Sequence, residues 1–317
     1  MLPEDFSARE AEPAPDVAPV LDAHIHLFDP TRPGGIPWPA PEDAVLYRPA
    51  LPERFAALAC RLGVRAAIAV EASPLRADND WLLATAAGDR RIVGVVASLD
   101  PAAQDFPREL ARLRAHPLLV GIRSGNLWGR DLARAIADAR TLDHLRLLAD
   151  SGLTLDVANP DCALLEAVAA VAERIPELRI VVDHLPAWDG LGNGHERCMA
   201  LLAALGRCPG VYAKISEIPR RVGGSVPGDP EFYRPLLEQI CAAVDEDHLI
   251  FGSDWPNSDR WLPYAETFAL ARGCMGGLSL RARRKFFWSN ALAAYPGVRG
   301  RAGTQGEAGA RGGSLVD

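Results

Sequence analysis

The chain has 317 residues, 49% of them hydrophobic and 24% charged, with a formal net charge of −7. That mixture describes a soluble globular protein with a sizeable core, and the negative balance excludes an ordinary nucleic-acid binder, whose affinity comes from neutralising phosphates. No apolar run is long enough to span a bilayer, and residues 1–18 carry acids and prolines rather than an apolar signal core, so a cytoplasmic protein is expected.

Residues 1–18 read as a disordered arm and 297–317 as a disordered tail, leaving one domain over 19–296. Within that domain, β-branched apolar runs alternate with helix-period segments. The runs are Val20–Phe28, Arg65–Ala72, Ile92–Leu99, Leu118–Arg123, Leu153–Ala158, Arg179–His184, Val211–Ser216 and His248–Ser253. A helical pattern follows each, among them Pro52–Leu62, Leu132–Ala149 and Phe232–Val244. Eight such units over about 250 residues predict a closed (β/α)8 TIM barrel. An open doubly wound sheet is the alternative, but no Gly-x-Gly-x-x-Gly follows the first run. The six cysteines (Cys60, Cys162, Cys198, Cys208, Cys241, Cys274) include no C-x-x-C pair, and reduced thiols are expected.

In such a barrel the chemistry gathers at the C-terminal strand ends. The first run holds Asp22, His24 and His26, which strand alternation puts on one face, and two imidazoles so spaced can grip one metal ion or one substrate oxygen. Glu71 ends the second run, turned into the barrel or left in solvent. Arg123, ending the fourth, either forks onto a substrate oxygen or pairs with Glu71 or Asp156. His184 follows three aliphatic residues and the acid Asp183, and alternation turns Asp183 toward the helices. Lys214 shares a polar inner face with Tyr212 and Ser216, where a buried lysine needs an anionic or carbonyl partner. Asp254 follows Gly252 on the last strand, beside the first strand in a closed ring, and either meets His24 and His26 or caps the next helix. Trp38, Trp128, Trp188, Trp255 and Trp261 lie near strand ends or loops and offer flat platforms for a ring, and the Pro/Gly-rich loop Pro30–Pro49 is long enough to form a rim or lid.

These pieces, in order over residues 20–296, resemble the amidohydrolase superfamily and its branch containing L-fuconolactonase, L-rhamnonolactonase and 2-pyrone-4,6-dicarboxylate lactonase. The segments that carry the resemblance are Asp22-Ala23-His24-Ile25-His26, Gly121-Ile122-Arg123, Val182-Asp183-His184-Leu185, Tyr212-Ala213-Lys214-Ile215-Ser216 and Gly252-Ser253-Asp254-Trp255-Pro256. The resemblance implies a hydrolase that opens a sugar or aromatic-derived lactone, with Asp254 as the base that activates water and His184 beside it as a second catalytic group. It implies that His24, His26 and His184 hold a divalent metal or polarise the scissile carbonyl directly, and the expected metal ligands in this chain are His24, His26, Glu71 and Asp254, with zinc where a metal is bound. Members of this branch differ in whether they carry one, so a metal-free mechanism stays open. Substrate contacts fall to Arg123, Lys214, Trp128, Trp188 and Trp255, and the partner is a small molecule rather than nucleic acid or membrane. The alternatives are a metal-dependent decarboxylase of the same superfamily and a barrel that binds without catalysis. The chain departs from the family pattern after Leu185, where Pro186-Ala187-Trp188-Asp189 replaces Gly-Lys-Pro. It departs again at Ser124, in place of a histidine, and at Glu71, in place of a glutamine.

Overall fold

The computed structural model describes residues 19–184 and 194–298, together with Ala302. Eight parallel strands lie side by side in sequence order: β1 (Val20–His26), β2 (Val64–Val70), β3 (Ile92–Ser98), β4 (Leu119–Gly125), β5 (Thr154–Ala158), β6 (Arg179–Val182), β7 (Val211–Ile215) and β8 (Leu249–Phe251). The ring closes where the first strand meets the end of the last: His26 N–H donates to Trp255 O (2.6 Å) and Asp254 N–H donates to His24 O (2.9 Å). This is a TIM barrel.

Helices follow the strands: α1 (Pro52–Ala59), α2 (Arg76–Ala87), α3 (Phe106–Arg114), α4 (Leu132–Ala135), α5 (Ala139–Asp150), α6 (Cys162–Arg174), α7 (His195–Leu205), α8 (Pro230–Ala243), α9 (Tyr264–Cys274), α10 (Leu280–Arg284) and α11 (Asn290–Ala294). The helix expected over 132–149 is two helices. Asp138 is extended there and its carboxylate accepts from Arg140 N–H (2.9 Å), which starts a new N-terminus. Among the described residues, no helix is long and apolar enough to cross a membrane.

Two apolar clusters hold the barrel. The larger lies between strands and helices, with Ile25, Ala67, Val95 and Leu155 against Leu82, Leu145 and Leu164. The second fills the ring with Leu21, Ile68, Val96, Val120 and Ile250, and it is stopped from below by Ala291, Tyr295 and Val298. Val298 and Ala302, which the sequence reading places in the tail, are fully buried in this floor. Thr154, the first residue of β5, ties the floor in by donating its hydroxyl to Ala294 O (2.6 Å). Outside the ring, α6 and α7 pack so that Cys162 and Cys198 have Cα atoms 5.2 Å apart and form a disulfide, correcting the expectation of reduced thiols for that pair.

Candidate active site

The first strand does not alternate regularly. Asp22 pairs with Ala67 and Ile25 with Ala69, so three steps on β1 match two on β2, and the extra residue makes a β-bulge. Asp22 therefore faces the helices rather than the histidines. Its carboxylate accepts from Ser253 N–H (2.9 Å), His24 N–H (3.2 Å) and the Tyr264 hydroxyl (3.1 Å) of α9. Burial pushes its pKa up to about 6 in spite of those bonds. Past the bulge, His24 and His26 both enter the mouth, with Nε2 atoms 3.3 Å apart.

The mouth brings together most of the side chains expected there. Asp254 Oδ1 lies 3.1 Å from His26 Nε2 and 3.6 Å from His24 Nε2. Only glycine fits at position 252, because a Cβ would stand 2.7 Å from that of His24. His184 joins the group with its ring centroid 4.7 Å from that of His24 and its Nδ1 2.9 Å from Ser216 Oγ. It does so through a left-handed backbone (φ 67°), which swings it to the same side as its neighbour Asp183. Asp183 correspondingly faces inward, against expectation, 2.7 Å from Lys214 Nζ and 3.5 Å from His24 Nδ1.

Glu217, absent from the sequence expectations, completes the group. It sits two residues past β7 at φ 52°, half-buried, and accepts from Asn257 Nδ2 (3.3 Å), which also donates to Asp254 Oδ2 (2.7 Å). Its signal in the sequence is a carboxylate just past a barrel strand, directly after Lys214-Ile215-Ser216. Ligand atoms within 4.8 Å of one another form three overlapping sets: His24, His26 and Asp254; His24, Asp183 and His184; and His184, Glu217 and Asp254.

Glu71 belongs to none of those sets. Its oxygens accept from Arg123 Nε (2.8 Å), Ser73 N–H (2.8 Å) and Trp128 Nε1 (3.1 Å), so it anchors Arg123 and Trp128. Arg123 forms the ion pair foreseen as its alternative role, and its third nitrogen stands 3.4 Å from His24 Nε2 and 3.6 Å from Asp183. Lys214 is fully buried beneath His24, and its ammonium is held by Asp156 (2.8 Å) and Asp183 rather than presented at the mouth surface. Trp255 is likewise corrected. It is fully buried in the outer layer against Phe55 and Arg54, because the backbone at Asp254 (φ 60°) turns the next side chain away from the mouth. Trp128 is half-buried at the mouth, and Trp188 lies outside the described residues.

The electrostatics follow from burial and pairing. Burial alone would raise the Asp254 carboxyl, but the hydrogen bond from His26 and the surrounding imidazoles hold it well below the usual carboxylate range, hence ionised. Burial drives His24 well below the ordinary histidine value, and Lys214 adds to this against the opposing pull of Asp183, so the ring is neutral. Lys214 stays charged between its two acids, which outweigh burial. Of that pair, Asp183 is held low by Lys214 and His24 against burial, while burial lifts Asp156 to about 7. At Glu217 the pull of His184 is outweighed by burial and by Asp254, which raise it.

The donor set fits a divalent cation. His26 Nδ1 faces the Val70 carbonyl at 3.0 Å, and since that oxygen only accepts, Nδ1 carries the proton. The Nε2 atom of that ring faces Asp254 Oδ1 (3.1 Å) and His24 Nε2 (3.3 Å) at once, and it meets the carboxylate through a second proton or through a cation set between them. Two imidazoles with a carboxylate are ordinary zinc donors.

The family model described as "Amidohydrolase" matches residues 21–297. The chain is 29% identical over 294 residues to an L-fucono-1,5-lactonase of Burkholderia ambifaria, covering 87% of this chain and 94% of that protein. Against an L-fucono-1,5-lactonase of Burkholderia multivorans it is 26% identical over 281 residues, covering 86% and 94%. Among solved structures, an amidohydrolase from Burkholderia multivorans with bound zinc superposes with a TM-score of 0.76 at 26% identity, covering 88% of this chain and 99% of that one.

Proposed function

The chain belongs to the amidohydrolase family, and on that premise we propose that it is a hydrolase that opens a lactone with water activated by Asp254. The observation that carries the reading is the meeting of an ionised, buried Asp254 with His24, His26 and His184 at the C-terminal mouth of the barrel. The names of the two lactonase relatives support the choice of lactone.

Asp254 accepts a proton from water as the water oxygen bonds to the lactone carbonyl carbon. The ring C–O bond then breaks, and the departing alkoxide takes up the proton. His184, hydrogen-bonded through Nδ1 to Ser216, is placed to pass that proton on. Arg123, kept charged by Glu71 and Asp183 against the effect of burial, brings positive potential to the side of His24 where negative charge develops. Lys214 acts from beneath, as the cation that lets Asp183 face His24. His24, His26 and Asp254, with Glu217 and His184 adjacent, would hold a divalent ion, for which we propose zinc. When bound, such an ion supplies Lewis acidity and lowers the pKa of water.

The test is hydrolysis of aldonolactones and aromatic-derived lactones followed with a pH indicator, beside the Asp254→Asn variant. Wild type should release protons without carbon dioxide, and Asp254→Asn should lose about 10²–10⁴-fold in kcat with its circular dichroism unchanged. Near-normal turnover in that variant would refute the assignment of the base.

A further inference from the structure

We propose that Trp38 is a specificity-determining residue of this site, the wall on which the substrate ring stacks, and that a clasp between Asp43 and Arg260 holds it in place. The inference deepens the lactonase reading and rests on it.

The loop over residues 30–49 is pinned where it leaves the barrel, since Phe28 and Ala50 exchange backbone hydrogen bonds of 3.1 and 2.8 Å. From that base it carries Trp38 back over the mouth. The indole stands edge-on to His26 at 5.9 Å and to Phe28 at 5.4 Å, and it is only half-buried. It also lines a cleft shared with Arg32, Glu71 and Trp81, and Glu71 is the residue that anchors Arg123. Trp38 thus offers an open aromatic surface on the rim next to His26. Indole is rigid and apolar, and the C–H face of a lactone ring is the complementary surface.

The far end of the loop is held from across the seam, by the turn that follows the neighbouring strand β8. Arg260 donates to Asp43 Oδ2 through Nη2 (2.6 Å) and Nε (3.1 Å), and its guanidinium carbon lies 5.7 Å from the centre of the Trp38 ring. The other oxygen of Asp43 caps the loop backbone at Val45 and Leu46. Arg260 ends the 3-10 turn Asn257–Arg260, whose first residue holds Asp254, and Asp259 of that turn pairs with Arg54 of α1 (2.9 Å). One short turn therefore positions the base at one end and the aromatic wall at the other.

The experiment is steady-state kinetics on the lactone that wild type hydrolyses best. Trp38→Ala should raise KM about tenfold with kcat within about threefold, and Trp38→Phe should recover most of the loss. Asp43→Asn keeps the capping oxygen but replaces the carboxylate oxygen that faces Arg260 with an amide NH2, donor against donor; it should raise KM about threefold, and combining it with Trp38→Ala should add nothing further. A fall in kcat at unchanged KM, or fully multiplicative effects in the double variant, would overturn the proposal. Should wild type open no lactone, the lactonase reading fails by itself, and the clasp is judged by chymotryptic cleavage after Tyr47. Faster cutting in Asp43→Asn than in wild type supports it, and equal rates overturn it.

Discussion

The two ends of the barrel are built on opposite terms. At the floor, Ala291, Ala294, Tyr295 and Val298 close an apolar plug that follows ordinary packing rules. At the mouth, His24, Glu71, Arg123, Asp183, His184 and Asp254 are buried together, and each is tolerable only because another faces it. The backbone shows the same division. Among the described residues, the non-glycine positions with positive φ are Trp128, Asn159, His184, Glu217 and Asp254, and each follows one of the strands β4 to β8 at the mouth. Left-handed backbone costs an ordinary residue about 1–2 kcal/mol, so the mouth carries strain that the packed floor and helix layer offset. Strain of that kind collects where side chains must be aimed rather than merely buried.

The sharpest way to break this comparison is at the boundary between the two ends, Lys214. Replacing it with Met leaves Asp156 and Asp183 facing each other without their cation. Denaturant unfolding should show a loss of about 3–5 kcal/mol, with part of it restored by adding Asp156→Asn. A loss in turnover alone would mean that Lys214 touches substrate after all. Tyr295→Phe probes the floor. It removes the hydroxyl that donates to Asp156 Oδ2 (2.7 Å) and should cost about 1–3 kcal/mol in stability while kcat stays within about twofold. The smallest effect has the opposite sign. Glu217→Gly releases one left-handed residue and should gain about 1 kcal/mol in unfolding free energy, while kcat/KM falls, the exchange expected of a functional position.

The same division explains what could be read from the residues alone. The alternation of apolar runs and helical segments was enough for the barrel, and with it the approach of Asp254 to His24 and His26 across the seam. Counting faces by alternate residues then succeeded where strands are regular, as at Lys214, and failed where the mouth departs from regularity. The bulge in β1 sends Asp22 outward. Left-handed residues turn His184 in beside Asp183 and send Trp255 behind the wall. Glu217 is not legible by strand alternation, because its place is set by the backbone after the strand rather than by the strand itself. For Arg123 the residues leave open a substrate contact or a pair with Glu71 or Asp156, and three-dimensional distance selects Glu71.

The seam between β1 and β8 also sets a timetable. Asp254 follows His26 by 228 positions, and Tyr295, which steadies the acids beneath His24, comes later still. During synthesis the two leading imidazoles emerge long before either partner exists, and contacts of such separation form slowly. The centre therefore cannot be assembled piecemeal from the N-terminus. A ribosome-bound fragment that ends before β8 would carry both histidines and no working site.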